Sequence, residues 1–374
     1  MILNTNDPGQ QFVRLALSIN TYMPGYVSEY WGDKELKTEI ENNPVPLEEL
    51  INAIDEFRVC TEVDTDQLRK EYLLAHADAF EIIARELLGE TIPFEKFLPT
   101  TTGIPHEPIN EENIAQLKDL INDIAVEKGC KPYELYIAQI VKPSDIIPHI
   151  TSNIRKIQPT IETAIQTQTP GSFTINTVKE APWGAFNHHM APYTSVIEVN
   201  ETLKVDELDL LYLLIHEALG GHHTELSLKD HLYTEEKRFE HSLVCVFSPQ
   251  SFISEGIAES ACEIFDVISS KNETETLFLY FNQLYNMMQY NAVFKIHQEK
   301  WTQEQVRSYF EQGDFFEEND IDATVRFVFD PIWGRYGAWY YAAKRLVLKK
   351  YNMAEDKKLF LTRLYTQPVI AKSL

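Results

Sequence analysis

The sequence predicts a mainly α protein of α+β class, with one small antiparallel β-sheet. Three observations carry that prediction. Apolar residues recur at helical spacing through most of the 374 residues, as amphipathic helices require. Only two stretches, Gly171–Val178 and Tyr193–Asn200, alternate and are rich in β-branched residues, the pattern of half-buried strands. No repeat, low-complexity tract or Gly/Ser/Pro-rich linker divides the chain. A single domain over residues 1–374 is therefore expected, with an N-terminal helical lobe to about residue 165 and a second lobe from about residue 166, around a cleft.

The elements follow in order. Gln11–Met23 reads as the first helix, closed by Pro24-Gly25. Pro46–Phe57 reads as the second, with proline in its first turn, where the missing N–H costs nothing. Thr65–Leu88 is a long amphipathic helix, with Asp64 or Thr65 as cap and Gly89 after its end. Asn110–Glu127 and Pro132–Val141 form another helical pair, and Pro148–Ile165 a helix with a kink or break expected at Pro159. The two strand-like segments come next and are expected to pair. Leu208–His216 is strongly apolar and helical; Ser251–Ser270, Glu273–Gln298, Thr302–Gln312 and Gly334–Tyr351 follow. Gly313–Asp322 is acidic and reads as a solvated loop or helix edge.

Composition limits the function. Apolar residues make up 44% and aromatic residues 11% of the chain, enough for a large core. A net charge of −24 argues against nucleic acid and anionic membrane as partners. Cys60, Cys130, Cys245 and Cys262 lie far apart without a Cys-x-x-Cys pair, so neither a thiolate zinc site nor a disulfide framework is expected. Met1–Asp7 has no basic region or apolar core, so no secretory signal is read there. No apolar run approaches the roughly 20 residues of a membrane span. The expectation is a soluble cytoplasmic protein; its oligomeric state is left open.

The segment that points to chemistry is Leu214-Ile-His-Glu-Ala-Leu-Gly-Gly-His-His223. Imidazoles hold zinc, and a carboxylate beside them takes a proton from metal-bound water. In His-Glu-x-x-His both imidazoles lie on one helix face, about 6 Å apart along the axis. Here His222 follows His216 by six residues. In a regular helix it would be turned by about 240° and lie roughly 9 Å along the axis. Gly220-Gly221 offers a remedy, because glycine reaches backbone angles closed to other residues. A bulge there would bring His222 to the second ligand position, leaving His223 beside the metal shell or facing substrate. The alternative, with His223 on the metal, stays open, as does an ordinary helix end with a glycine cap.

A second segment, Phe252-Ile-Ser-Glu-Gly-Ile-Ala-Glu-Ser260, supplies what two histidines lack. Glu255 suits a third zinc ligand, leaving a fourth position for water. Gly256 permits close helix approach, and Glu259, one turn on, can orient a ligand imidazole. Glu217 is then the general base.

Glu255-Gly256-Ile257-Ala258 resembles the Asn-Glu-Gly-Phe-Ala segment of the aminopeptidase N family, whose Glu ligates zinc. The chain as a whole resembles the family called domain of unknown function 885, placed among gluzincin-type metallopeptidases. That family's motif is His-Glu-x-x-Pro-Gly-His-His, with Gly220 standing here for the proline; its Glu-Gly-Trp-Ala is similar to Glu255–Ala258, and its N-terminal signature to Arg14–Val27 with Tyr30. The resemblance implies a gluzincin-like fold, one Zn2+ on His216, His222 and Glu255, and a peptide or small amide substrate. It also implies an edge strand beside the metal helix that pairs with extended substrate; Val196–Asn200 is the expected strand, with Asn200 at its end. The family's C-terminal segment is matched poorly by Asp330–Tyr341. For an oxyanion-stabilising phenol the order of preference is Tyr340, Tyr336, Tyr341, with Arg335 as a carboxylate clamp. His188 and His189 can line the cleft or sit in a solvated loop. His76, His106, His149, His231, His241 and His297 receive no role.

Three functions are therefore compared: a zinc metallopeptidase-like hydrolase, a non-catalytic helical scaffold with a vestigial motif, and a metal-dependent hydrolase of a small non-peptide amide or ester.

Overall fold

A computed structural model of the chain describes residues 3–136, 140–179, 181, 183–190 and 193–374. The N-terminal part is α1 (Pro8–Tyr22), β1 (Val27–Tyr30), α2 (Lys34–Asn42), α3 (Leu50–Glu62), α4 (Gln67–Leu87), α5 (Phe94–Thr102), α6 (Glu111–Lys128), α7 (Pro132–Tyr136) and α8 (Pro143–Ile165). The strands β2 (Ser172–Val178), β3 (Ala185–Met190) and β4 (Thr194–Asn200) follow. Then come α9 (Glu207–Glu217), α10 (His222–Thr234), β5 (Leu243–Cys245), α11 (Pro249–Ile264), α12 (Glu273–Glu299), α13 (Gln303–Glu311), α14 (Glu318–Val328), α15 (Trp339–Met353) and α16 (Lys357–Thr366). The protein is mainly helical with small sheets, an α+β fold.

The sheets depart from expectation. The two β-rich segments do pair, but in parallel: β2 runs alongside β4, and β3 lies antiparallel on the other side of β4. The order β2-β4-β3 makes β4 the central strand. β3 reads Ala-Phe-Asn-His-His-Met, without a β-branched residue, so propensity does not reveal it; its pairing with β4 specifies it. A second antiparallel sheet joins β1 to β5 across more than two hundred residues.

Helix boundaries shift by small amounts, with chemical reasons. The long helix α4 is capped by Asp66, whose Oδ1 accepts from the N–H groups of Leu68 and Arg69. α8 runs without a break through Pro148 and Pro159. Of the expected helix over 132–141, residues 137–139 lie outside the described residues. The acidic 313–322 segment enters a helix at Glu318. α2, α5, α10 and α16 had no counterpart in the sequence reading.

One apolar core joins the N-terminal helices, through Phe12, Phe57 and Phe80, to Trp339 and Tyr365 near the C-terminus. Arg69 on α4 ties the same two regions together. Its guanidinium meets the fully buried Glu240 through Nε–Oε1 at 2.6 Å and Nη2–Oε2 at 2.9 Å. α11 and α15 pack closely at Gly256, where a Cβ would lie 2.8 Å from the Ala343 carbonyl oxygen and 2.7 Å from Val347 Cγ2. The expected close approach at this glycine is present.

The helix that carries the motif is held at its start by a reciprocal cap. Asp206 Oδ1 accepts from Asp209 N–H at 2.8 Å, and Asp209 Oδ2 accepts from Asp206 N–H at 3.0 Å. Asp206→Ala is expected to cost about 1 kcal/mol, read as a lowered urea midpoint with an unchanged m-value.

Candidate metal centre

α9 and α10 are two helices, not one bulged helix. α9 stops at Glu217, and Ala218–Gly221 turn the chain so that His222 opens α10. Both glycines are required, for different reasons. Gly220 has φ +96°, a left-handed conformation that costs other residues about 1–2 kcal/mol. At Gly221 the constraint is space: a Cβ would lie 1.7 Å from the His216 carbonyl oxygen. Gly220 N–H donates to Thr224 Oγ1 at 2.9 Å, and the Tyr365 hydroxyl on α16 donates to the Gly220 carbonyl.

This turn lays the His222 ring against His216, with centroids 4.8 Å apart and planes at 84°. α11 crosses beside them and brings Glu255. His216 Nε2 is 3.5 Å from Glu255 Oε2, and His222 Nε2 is 3.9 Å from Glu255 Oε1. One donor atom from each of the three residues falls within 4.8 Å of the others. Donors around tetrahedral zinc, at bonds of about 2.0–2.2 Å, sit about 3.3–3.6 Å apart, so modest contraction would close this set on an ion. His222, not His223, joins the cluster.

The charges point the same way. Glu217, Glu255 and Glu259 are all buried around the two rings. Burial, His222's strongest influence, and then the neighbouring His216 hold its pKa well below the usual imidazole range, so it stays neutral. Burial works against a charged His216, yet Glu259, Glu217 and Glu255 outweigh it and raise its pKa to about 9. Burial raises Glu255 to about 7, opposed by His216 and the Tyr336 hydroxyl. Three carboxylates thus face one charged imidazole. Glu255 Oε2 is buried with no hydrogen-bond partner, while Tyr336 donates to Oε1 at 2.8 Å. A buried carboxylate whose two oxygens face two imidazoles, one of them without a hydrogen bond, fits a divalent cation.

Glu259 takes the orienting role read for it: its Oε1 lies 3.2 Å from His216 Nδ1, and Tyr212 donates to its Oε2 at 2.9 Å. Burial opposes its charge, but His216 prevails and lowers its pKa. Glu217 Oε1 is 4.0 Å from His216 Nε2. Burial raises its pKa, with His216 and the Asn187 N–H opposing. The Asn187 side chain on β3 donates to the Glu217 carbonyl at 2.6 Å. No lysine or arginine pairs with Glu217 among the described residues.

Other residues are corrected. His223 turns away from the cluster, with Nδ1 2.9 Å from Ser195 Oγ and its ring on Phe173; it supports the sheet instead of facing substrate. Asn200 closes the end of β4, donating to the Ala181 carbonyl and accepting from Thr202. As β4 is central, the edges belong to β2 and β3, and β3 is the one that packs on α9 and α10. His189 is buried on Asp230 at 3.2 Å, whereas His188 is half-buried between Glu29 and Glu198; both stand in β3, not in a loop. Arg335 is spent on Glu86 through two bonds of 2.8 and 2.9 Å and stacks on Phe97. Tyr336 serves Glu255, and Tyr341 packs on Tyr290. Tyr340 remains: its ring lies edge-on to that of Tyr336, with centroids 5.7 Å apart, and burial, then Glu255, Glu259 and Glu217, raise its pKa. All four cysteines are free; Cys262 is buried, in keeping with a packing role.

Sequence reasoning missed Tyr212, Asn187, Ser254, Glu225 and Tyr365. Tyr212 precedes His216 by one turn, so helical spacing could have found it. The others come from elements whose crossing no local pattern encodes.

No family model and no curated protein matches the chain. Among solved structures, its fold is similar to a Colwellia psychrerythraea protein provisionally described as a lipoprotein, with TM-score 0.57, 15% identity, and coverage of 87% of this chain and 68% of that one. A Shewanella oneidensis protein, provisionally described as a lipoprotein of unknown function, is similar with TM-score 0.51, 15% identity, and coverage of 90% and 72%. Identity this low speaks for a shared fold alone. Among the described residues, no helix is long and apolar enough to cross a membrane.

Proposed function

We propose that this chain is a zinc-dependent hydrolase that cleaves a peptide or related amide bond. The observation that carries the reading is the convergence of His216, His222 and Glu255, with Glu255 Oε2 buried without a hydrogen bond and 3.5 Å from His216 Nε2. Zinc, when bound there, would polarise the scissile carbonyl and acidify a water molecule. Glu217 accepts that water's proton and passes it to the leaving amine; its raised pKa brings it nearer the neutral range where one group serves as both base and acid. Asn187 fixes the Glu217 backbone, and so the position of its carboxylate. The Tyr340 phenol keeps its proton at neutral pH and donates a hydrogen bond to the developing oxyanion. β3, the edge strand beside α9 and α10, is the strand to which an extended substrate would add. The resemblance of the His-Glu and Glu-Gly segments to gluzincin-type metallopeptidases supports the same assignment.

A second reading, hydrolysis of a small non-peptide amide or ester, is favoured by one observation. His216, Glu217 and Glu255 are only 8%, 6% and 8% exposed, which suits a small substrate.

The test is metal content and product masses. Protein purified without chelators is expected to carry one zinc ion and to cleave members of a mixed peptide library. Glu217→Gln is expected to keep the zinc and lose roughly 100- to 10,000-fold in rate, the range for a general base. Wild-type protein that neither carries nor takes up zinc would overturn the proposal. Zinc-loaded protein inert on peptides but active on small amides would select the second reading.

A further inference from the structure

A buried chain of hydrogen bonds leads from His222 away from the cluster. His222 Nδ1 lies 3.0 Å from Ser254 Oγ, and Ser254 Oγ lies 2.5 Å from Glu225 Oε2. Glu225 Oε1 meets Lys229 Nζ at 2.6 Å. Glu225 is wholly buried, and Ser254 and Lys229 are each 6% exposed. A buried ion pair of this kind adds little net stability compared with apolar residues of the same volume. Packing alone therefore does not account for it.

The protons in the chain can be assigned. Ser254 donates its single hydroxyl hydrogen to Glu225 Oε2, whose other oxygen meets Lys229 Nζ. Ser254 Oγ then has only lone pairs to offer His222, so Nδ1 carries a hydrogen and donates it. A neutral imidazole protonated at Nδ1 has its lone pair at Nε2, the atom that faces Glu255. At His216 it is Glu259 that faces Nδ1 directly, at 3.2 Å.

We propose that Glu225, acting through Ser254 and balanced by Lys229, is a positioning residue that locks His222 in the tautomer able to ligate a metal ion. This rests on the reading that His222 holds the zinc. Groups that orient ligand histidines typically contribute 10- to 100-fold to metal affinity.

The test measures metal binding, not turnover. Zinc affinity, by competition with a chromophoric chelator, and the visible spectrum of the Co2+-substituted protein are compared for wild type, Ser254→Ala and the double variant Glu225→Gln/Lys229→Met. The double variant removes both charges together, so no lone ion is left buried. Melting curves confirm that the variants fold. Each variant is expected to bind zinc about 10- to 100-fold more weakly, with shifted Co2+ bands. Folded variants with wild-type affinity and spectrum would overturn the relay while leaving the metal centre intact. Wild-type protein that binds neither ion would overturn both the relay and the proposed function.

Discussion

Glu255→Gln is expected to raise the melting temperature of the metal-free protein at neutral pH and to abolish tight metal binding. The two effects share one cause. Burial, opposed by His216 and Tyr336, raises the Glu255 carboxyl from 4.5 to about 7. A group whose pKa is raised in the fold favours folding fully below its unfolded value, and that contribution is lost as pH rises through the folded value. Metal-free wild type should therefore lose stability between about pH 4.5 and pH 7, by on the order of 3 kcal/mol at 1.36 kcal/mol per pH unit. The glutamine variant keeps an acceptor for the Tyr336 hydroxyl and lacks the titration. Metal-free, the two proteins should melt alike near pH 4, with the variant higher at pH 8. Zinc should reverse the order, because a cation between His216, His222 and Glu255 stabilises only the wild type. The variant's zinc affinity is expected to fall by more than the 10- to 100-fold typical of groups that only orient ligands. Thermal melts from pH 4 to 8, with zinc or chelator, measure all of this. A metal-free variant that melts lower at pH 8 would mean that Glu255 is present for packing.

That a buried carboxylate should destabilise the metal-free fold also explains which parts of the centre were legible in sequence. His216, Glu217, Glu255 and Glu259 stand out as polar residues in apolar helical company, and such residues need partners. Their spacing on α9 and α11 placed them on the correct faces before any fold was known. The choice of His222 over His223 was also reachable, since it needed only the glycines to break the helix. The break itself was misjudged. A bulge keeps one helix axis, whereas the turn at Ala218–Gly221 starts a new helix. That new axis sends His223 to Ser195 under the sheet.

What stayed illegible was set by distant contacts. Arg335 could serve as a substrate clamp only until Glu86, 249 residues earlier, claimed both of its donor pairs. Tyr336 looked like an oxyanion donor until α15 packed on α11 and aimed it at Glu255. The family resemblance implies an edge strand at β4; instead the parallel partner β2 takes one edge and β3 the other. Strand order is a property of the whole sheet, and no single strand carries it.

Gly221→Ala is expected to dismantle the centre, and its contrast with Gly220→Ala shows why the turn has this form. At Gly221 the obstacle is space. Its added Cβ would lie 1.7 Å from the His216 carbonyl oxygen and 2.7 Å from that of Ile215. Both are backbone atoms of α9 and cannot swing aside. Overpacking against movable side chains already costs about 1–3 kcal/mol, so a loss above about 3 kcal/mol is expected. The 0.4–1 kcal/mol that alanine returns through the unfolded state does not offset it. α10 must move off α9, taking His222 from His216, and zinc binding should be lost. At Gly220 the Cβ meets the Phe265 ring at 3.0 Å, which can shift, and the cost is mainly that of φ +96°, about 1–2 kcal/mol. Gly220→Ala should therefore weaken the fold and keep the zinc. Urea unfolding and zinc titration of the two variants measure the difference; the reverse order would mean that the left-handed angle, not the close approach of the helices, sets the ligand geometry. The same angle bears on the family motif. Proline is confined to φ near −65° and lacks the N–H that Gly220 gives to Thr224. A chain with proline at that position must form its turn differently, so the glycine at 220 belongs to a distinct way of bringing His222 beside His216.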